Sequence, residues 1–434
     1  MEMLSRRKFL VNSLLAAGAV TLGGAAVLGA RPQQAQAADT IELKYWYCWT
    51  DKIKENNEER VQEFNDSVGK DKGIHVTAEY QGSYDDLNAK LKTAYVANEE
   101  PDVCVMVING TQAFADGGMI QPIDDLVSED DVKDFWPGLM KNCYADDTLY
   151  GVPYLRSTPV MYYNKTLFEK AGLDPEKAPE TWQDVNDACD ALAKIDVAGL
   201  SFVTDWWPFT AYTYCFGGTP FGDDITAKEA TFNQAPAVEM TKWFDDAVAN
   251  HNFQYAGPSA NSNAVDQAVM NQKAAIWVGS TAGLTNYKQI AGDNGFEINV
   301  GFIPKQTQNK VPTGGYNLVM TGRLEGDRRA AAGEFINFMT SKDAAVKNHL
   351  KTGYLLTRQS DADDERIKEA YKETPQYQVA LDQLQYAVGD YMNAGYTEAC
   401  KTYTEALDKI FAGDDDIQKT LDDAVAKCNP ILSE

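Results

Sequence analysis

Three histidines, His75, His251 and His349, are the first residues to test for chemistry, and none lies at a metal or catalytic spacing from a carboxylate or cysteine. Histidine-based catalysis therefore has no support. Ser280 stands in Val-Gly-Ser-Thr-Ala-Gly, which lacks the first glycine of a nucleophile elbow. Asp414-Asp415-Asp416 has the acidity of a calcium loop without its glycine and distal glutamate, so it reads as a solvated helix start. Glycine-rich phosphate loops are absent, and no cofactor or metal is expected. The aromatics say more. Trp46, Trp49, Trp206 and Trp207 fall at expected strand ends or loops, outside any helical stripe. An indole there offers a flat apolar wall to a sugar or polyol, with an N–H for a hydroxyl. The chemistry to expect is capture without a covalent step.

The elements that must position these residues are legible around Ser157–Asp184. Thr158-Pro159 forces extended backbone, and Val160 to Tyr163 then form an apolar strand. Asn164 caps a short helix that ends at Gly172; Thr181 and Asp184 form a capping box for a longer one. Earlier in the chain, strand, helix, strand and helix alternate from Ile41 to Tyr95, and a third strand ends at Asn109-Gly110-Thr111. That order predicts a parallel sheet, with ligand at the carboxyl ends of its strands, so Asn109 is a candidate contact. Ala275–Val278 reads as a buried strand leading to the polar turn at Ser280, and Pro312–Tyr316 reads as a turn holding Gly315 and Tyr316. Helices are expected at 329–350, 376–388, 397–411 and 415–428.

Length and composition set the frame. A chain of 434 residues suggests two lobes, each able to bury a core. A net charge of −25 speaks against nucleic acid or anionic lipid as partners. Ser5-Arg6-Arg7-Lys8-Phe9-Leu10, an Ala/Gly/Leu-rich run and Ala35-Gln36-Ala37 read as a twin-arginine leader over 1–37. Export to the periplasm or cell exterior is therefore expected. All seven cysteines follow the leader, are widely spaced and never form Cys-x-x-Cys; Cys104 and Cys189 read as core.

The run Ser157-Thr158-Pro159-Val160-Met161-Tyr162-Tyr163-Asn164-Lys165 closely resembles the extracellular solute-binding proteins of ABC importers, the glycerol-3-phosphate-binding type above all. The likeness continues through Tyr80–Tyr84 and Lys351–Leu355 to the last helix. It implies an α/β, two-lobed periplasmic-binding-protein fold of type II, whose hinge is crossed more than once. The expected lobes are 38–152 with 282–345, and 153–281 with 346–434. It also implies a non-enzymatic, monomeric protein that closes on a sugar, polyol or glycerophosphate-like solute and hands it to permease subunits. Tyr84, Ser157, Trp207, Ser280, Gly315 and Tyr354 match the positions that lie at the ligand in that type. Two positions depart from it. Ile108 stands where an acidic residue is the pattern, and Met392 falls near the arginine, so a hydroxyl acceptor and a phosphate partner are both missing. Arg156, beside Ser157, is the candidate replacement cation. The competing readings are an exported carbohydrate-active hydrolase using paired carboxylates and a solute sensor without transport.

Overall fold

The computed structural model describes residues 40–413 and 416–433. The expected leader, with Asp414 and Asp415, lies outside the described residues. From Thr40 onward the chain is one compact unit built on two five-stranded sheets.

The strands are β1 (Ile41–Tyr47), β2 (Ile74–Tyr80), β3 (Val103–Val107), β4 (Gly151–Ser157), β5 (Pro159–Asn164), β6 (Ala198–Thr204), β7 (Gln254–Pro258), β8 (Ala274–Ser280), β9 (Ile298–Gly301) and β10 (Gly314–Met320). The first sheet runs β2-β1-β3-β10-β4, and the second β9-β5-β8-β6-β7. β1 is parallel to β2 and β3, as the alternation of strand and helix requires, whereas β10 is antiparallel to both β3 and β4. Returning strands therefore close each sheet. β4 and β5 are buried at every position, and the larger apolar core on each sheet forms around Phe64, Phe335 and Leu318 in the first and around Trp182, Phe209 and Phe244 in the second, with a smaller cluster around Met106 in the first and Trp277 in the second.

The local signals around the β4–β5 step form as their residue types dictate. Asn164 accepts from the Leu167 amide at 2.9 Å, and Thr181 with Asp184 completes a capping box. Three details differ. Trp206 and Trp207 open a helix, Trp206–Cys215, because Asp205 caps it by accepting from the Trp207 amide at 3.0 Å. The expected 329–350 helix is two helices, Gly326–Met339 and Lys342–Thr352, since Ser341 caps the second. Gly314–Tyr316, expected as a turn, lies inside β10.

The chain passes between the sheets three times. The first passage is Ser157–Pro159, the second runs from Gly301 to Gly314, and the third follows helix Lys342–Thr352 toward helix Tyr396–Phe411. The lobe boundaries thus differ from the expected ones. β9 pairs with β5 in the second sheet, and helix Lys342–Thr352 lies on helix Asp51–Phe64 of the first lobe, where Asn56 donates to Asn348 at 2.7 Å. An apolar run such as Val300–Ile303 has the same appearance whichever sheet accepts it.

Buried polar side chains tie the three passages together. Gln383, 1 % exposed, belongs to the third passage; its amide donates to Thr158 Oγ1 (3.2 Å) and Pro159 O (2.7 Å) in the first. Its Oε1 accepts from Ile303 N in the second at 3.0 Å. Asn142 donates to Asp390 O at 2.7 Å and accepts from Asp390 N at 2.9 Å. Satisfied amides of this kind fix a register without placing a charge in the interior.

Candidate functional site

The first lobe supplies an aromatic wall. Tyr84 opens helix Tyr84–Ala97, whose Ser83–Asp86 capping box sets its start immediately after β2. Its ring lies 5.1 Å from Tyr316, and Tyr316 meets Trp49 edge-on at 4.8 Å. Tyr84 is 46 % exposed while Tyr316 is 3 % exposed, so Tyr84 is the face and Tyr316 its backing. Burial, then Cys48 nearby, pushes the Tyr84 phenol up to about 12, so it remains a neutral hydroxyl. Tyr354 is buried behind them and its phenol is raised further, by burial first and Tyr84 second. The Tyr354 carbonyl accepts from His349 Nδ1 at 2.7 Å.

The floor is a close approach between a glycine pair and an indole. Gly315 has φ +98°, and a Cβ there would strike the Leu155 carbonyl; a Cβ on Gly314 would come within 2.7 Å of Trp207 Cζ2. Glycine is therefore required at both positions. Trp207 Nε1 donates to Thr313 O at 3.3 Å, which holds the second-lobe indole over the first-lobe strand. Ser157 is buried, with its Oγ facing Gly314. Ser280 ends β8 and its Oγ accepts from the Ala282 amide at 3.2 Å. Asn109 is half-buried in a short turn after β3.

Two expected contacts have other duties. Trp206 meets Tyr396 edge-on at 5.4 Å and joins the second-lobe core, so only Trp207 of the pair reaches the glycine floor. Arg156 is fully buried, and its guanidinium donates to Gly314 O (3.0 Å), Leu139 O (2.8 Å), Asn317 Oδ1 (2.9 Å) and Thr313 Oγ1 (3.0 Å). Burial lowers its pKa to about 10. The cation beside Ser157 is thus a tie between two passages, with four of its hydrogen bonds taken up by protein. A hinge ion pair is the other reading of Arg156 from sequence; the acceptors are instead uncharged main-chain, amide and hydroxyl oxygens.

Two cavities are lined by residues of both lobes. One, of about 490 Å³, is lined by Trp49, Thr50, Lys52 and Tyr84 from the first lobe and by Thr285, Asn286 and Gln289 from the second. Lys52 donates to Gln289 at 3.2 Å across its rim. The other, of about 780 Å³, is lined by Lys141, Tyr144, Asp146 and Asp147 on one side and by Tyr214, Asp223, Asp224, Lys310 and Met392 on the other. Lys310 stands 4.4 Å over the Tyr214 ring, and burial lowers its pKa while Asp223 opposes that shift. Asp390, in the same turn as Met392, is buried and its carboxyl is raised to about 7 by burial, although Tyr396 donates to it at 3.1 Å. Sequence reasoning missed Thr285, Asn286 and Gln383, which are ordinary polar residues on helices. Trp49 stood out among the aromatics, but nothing in its spacing set it above Trp46. Among the described residues no cluster suited to a metal ion occurs, and all seven cysteines are buried free thiols.

Two α/β lobes joined by three passages, with cavities lined by residues of both, are the architecture of a two-lobed solute-binding protein. Residues 59–379 match the family described as bacterial extracellular solute-binding protein. The chain belongs to that family. It is 25 % identical over 422 residues to the sn-glycerol-3-phosphate-binding periplasmic protein UgpB of Brucella melitensis, covering 92 % of this chain and 94 % of the relative. Among solved structures, it is similar to the cyclic α-maltosyl-1,6-maltose binding protein of Arthrobacter globiformis, with TM-score 0.80, 20 % identity and coverage of 91 % and 99 %. It is likewise similar to UgpB of Mycobacterium tuberculosis in complex with glycerophosphocholine, with TM-score 0.78, 22 % identity and coverage of 90 % and 98 %.

Proposed function

We propose that the cleft captures an uncharged sugar or polyol, in preference to a phosphate-bearing solute, and presents it to importer permeases. The observation that carries this concerns two positions: Met392 lines the larger cavity where the glycerol-phosphate pattern has arginine, and the Arg156 guanidinium is buried in bonds to protein. A phosphate in low dielectric needs charge-assisted donors, each contributing about 1.5–3 kcal/mol. The two lysines of that cavity share it with four aspartates, which supports a solute without net negative charge.

Tyr84, Trp207, Ser157, Ser280, Gly315, Tyr316, Tyr354 and Asn109 form the proposed binding set, with Tyr84 and Trp207 as the two aromatic faces. Ligand contacts shared between lobes stabilise the closed state, and this alone accounts for the role; no acid/base pair is needed. The twin-arginine reading of residues 1–37 makes the proposed route export in the folded state, and the proposed working form is a monomer.

Calorimetry on purified protein with neutral sugars, glycerophosphocholine and sn-glycerol-3-phosphate tests the reading. A neutral sugar is expected to bind most tightly, and Tyr84→Ala is expected to weaken it by about tenfold or more without loss of fold. Tightest binding of sn-glycerol-3-phosphate would overturn the preference. Phosphate-bearing solutes are the second reading, favoured by the glycerol-3-phosphate-binding relatives and by Lys141 and Lys310 in the larger cavity.

A further inference from the structure

Thr313 stands where the three passages meet. It lies in the second passage, directly before the glycine pair, and is fully buried. Its amide donates to Val388 O in the third passage at 2.8 Å, beside the parallel pairing of Pro312 with Val388. Its hydroxyl accepts from Arg156, on β4 where the first passage begins, at 3.0 Å. Its carbonyl accepts from the Trp207 indole at 3.3 Å. One residue therefore joins every passage to a second-lobe aromatic.

The hydroxyl is the informative group. Valine has the same shape and is easily enclosed, whereas a hydroxyl shut away from water is unfavourable unless it is bonded. Here it is bonded to a guanidinium that reaches the next residue as well, through Gly314 O at 3.0 Å. The indole meets the same two residues, with Nε1 at the Thr313 carbonyl and Cζ2 so close to Gly314 that a Cβ there would strike it. Arg156 and Trp207 thus grip one dipeptide, and a shift of that dipeptide carries the ring with it. The Trp207 backbone is fixed by its own helix through the Asp205 cap. The direction of the ring is set from the passages.

We propose that Thr313 is a positioning residue for the cleft: it holds the Trp207 indole in register with the passages, so that the second-lobe aromatic face moves with them as well as with its own helix. The proposal rests on the reading above that Trp207 is a binding face, and the experiment separates the two. Thr313→Val keeps the shape and the carbonyl and loses the hydroxyl, while Thr313→Ser keeps the hydroxyl. The full chain, both variants, Trp207→Ala and the combination of Thr313→Val with Trp207→Ala are titrated by calorimetry with glucose, maltose and maltotetraose. The tightest-bound sugar is expected to weaken by about tenfold in Trp207→Ala and about fivefold in Thr313→Val, and to return to within about twofold of the parent in Thr313→Ser. Adding Thr313→Val to Trp207→Ala is expected to change affinity by less than about twofold, because a residue that acts through another has little separate effect once that other is gone. In the unliganded protein labelled with ¹⁵N, the Trp207 indole resonance is expected to move in Thr313→Val and to return in Thr313→Ser. In the parent its hydrogen is expected to exchange slowly with solvent, a measurement that needs no variant to fold. An unmoved resonance, free exchange in the parent, or an equal loss from Thr313→Val with and without Trp207 would overturn the Thr313 assignment and leave Trp207 as a binding face. Parent affinity retained in Trp207→Ala, or binding of none of the three sugars, would overturn both.

Discussion

The two cavities are built from different materials. The 490 Å³ side is walled by Trp49 and Tyr84 and carries mostly neutral hydroxyls and amides, whereas the 780 Å³ side is lined by four aspartates and two lysines. The difference is more than a count of charges. Several charges on the larger side are already engaged with protein: Lys310 with the Tyr214 face and Asp223, and Asp224 with Thr226, whose amide and hydroxyl donate to it at 2.7 and 2.6 Å. The Thr226 bonds hold the Asp224 carboxyl below the usual carboxylate range. Charges answered internally stay hydrated or paired, and offer a ligand less than their number suggests. The aromatic side has internal ties of its own, Lys52 to Gln289 and Thr285 to the Tyr377 hydroxyl, and adds to them the half-exposed ring of Tyr84.

The strongest way to break the comparison is to remove what holds the two sides in one frame. Arg156 lies at the joint, and Arg156→Leu leaves acceptors on Leu139, Thr313, Gly314 and Asn317 without their donor in a buried site. The expected loss is about 3–5 kcal/mol of unfolding free energy in urea, and Arg156→Lys recovers little because an ammonium cannot span that fork of acceptors. A loss below about 1 kcal/mol in Arg156→Leu would show that the passages are fixed by other contacts. Gln383 is the obvious alternative.

Acid should disturb the aromatic side through His349. This residue is 2 % exposed, donates from Nδ1 to Tyr354 O, and lies 4.9 Å from the ring of Tyr377, whose hydroxyl meets cavity-lining Thr285 at 2.8 Å. Burial lowers its pKa from 6.5 to about 4. The folded state therefore resists a proton that the unfolded chain takes up readily. The contribution is whole above pH 6.5 and is lost as pH falls toward 4, reaching about 3 kcal/mol. Urea midpoints at pH 7, 5.5 and 4.5 measure it. His349→Gln is expected to fall less steeply than the parent across that window, and parallel curves would rule out the buried imidazole as the cause.

How much of this was written in the sequence depends on the range of the interaction. Caps and turns at Asn164, Thr181 and Gly172 are local, so residue type alone located them. The first three strands followed from alternation, and the family likeness from one uninterrupted run. Lobe membership of β9 and of helix Lys342–Thr352 was not legible, because an apolar strand or a helical stripe does not record its partner. The same limit hid the duty of Arg156, which depends on acceptors as far away in the chain as Asn317. Residue type did not separate Trp206 from Trp207, although the family likeness matched Trp207 alone. The helix that Asp205 caps turns one toward Tyr396 and the other toward Gly314.

The smallest expected effect sharpens the comparison by converting one side. Met392 is buried, lines the larger cavity, and is held in place by its amide, which donates to Ile225 O at 2.6 Å. That backbone bond survives a change of side chain, so Met392→Arg presents a guanidinium from a fixed main-chain position, with the 780 Å³ space to receive its head. Asp223 and Asp224 will compete for it. The gain for sn-glycerol-3-phosphate is therefore expected at the low end for a charge-assisted bond, about tenfold, and salt should erode it. Calorimetry at two ionic strengths measures both. Maltose affinity should stay within about twofold, because the aromatic side is untouched. If maltose affinity instead falls in step with the phosphate gain, the two cavities act as one site and the division drawn here between them is wrong.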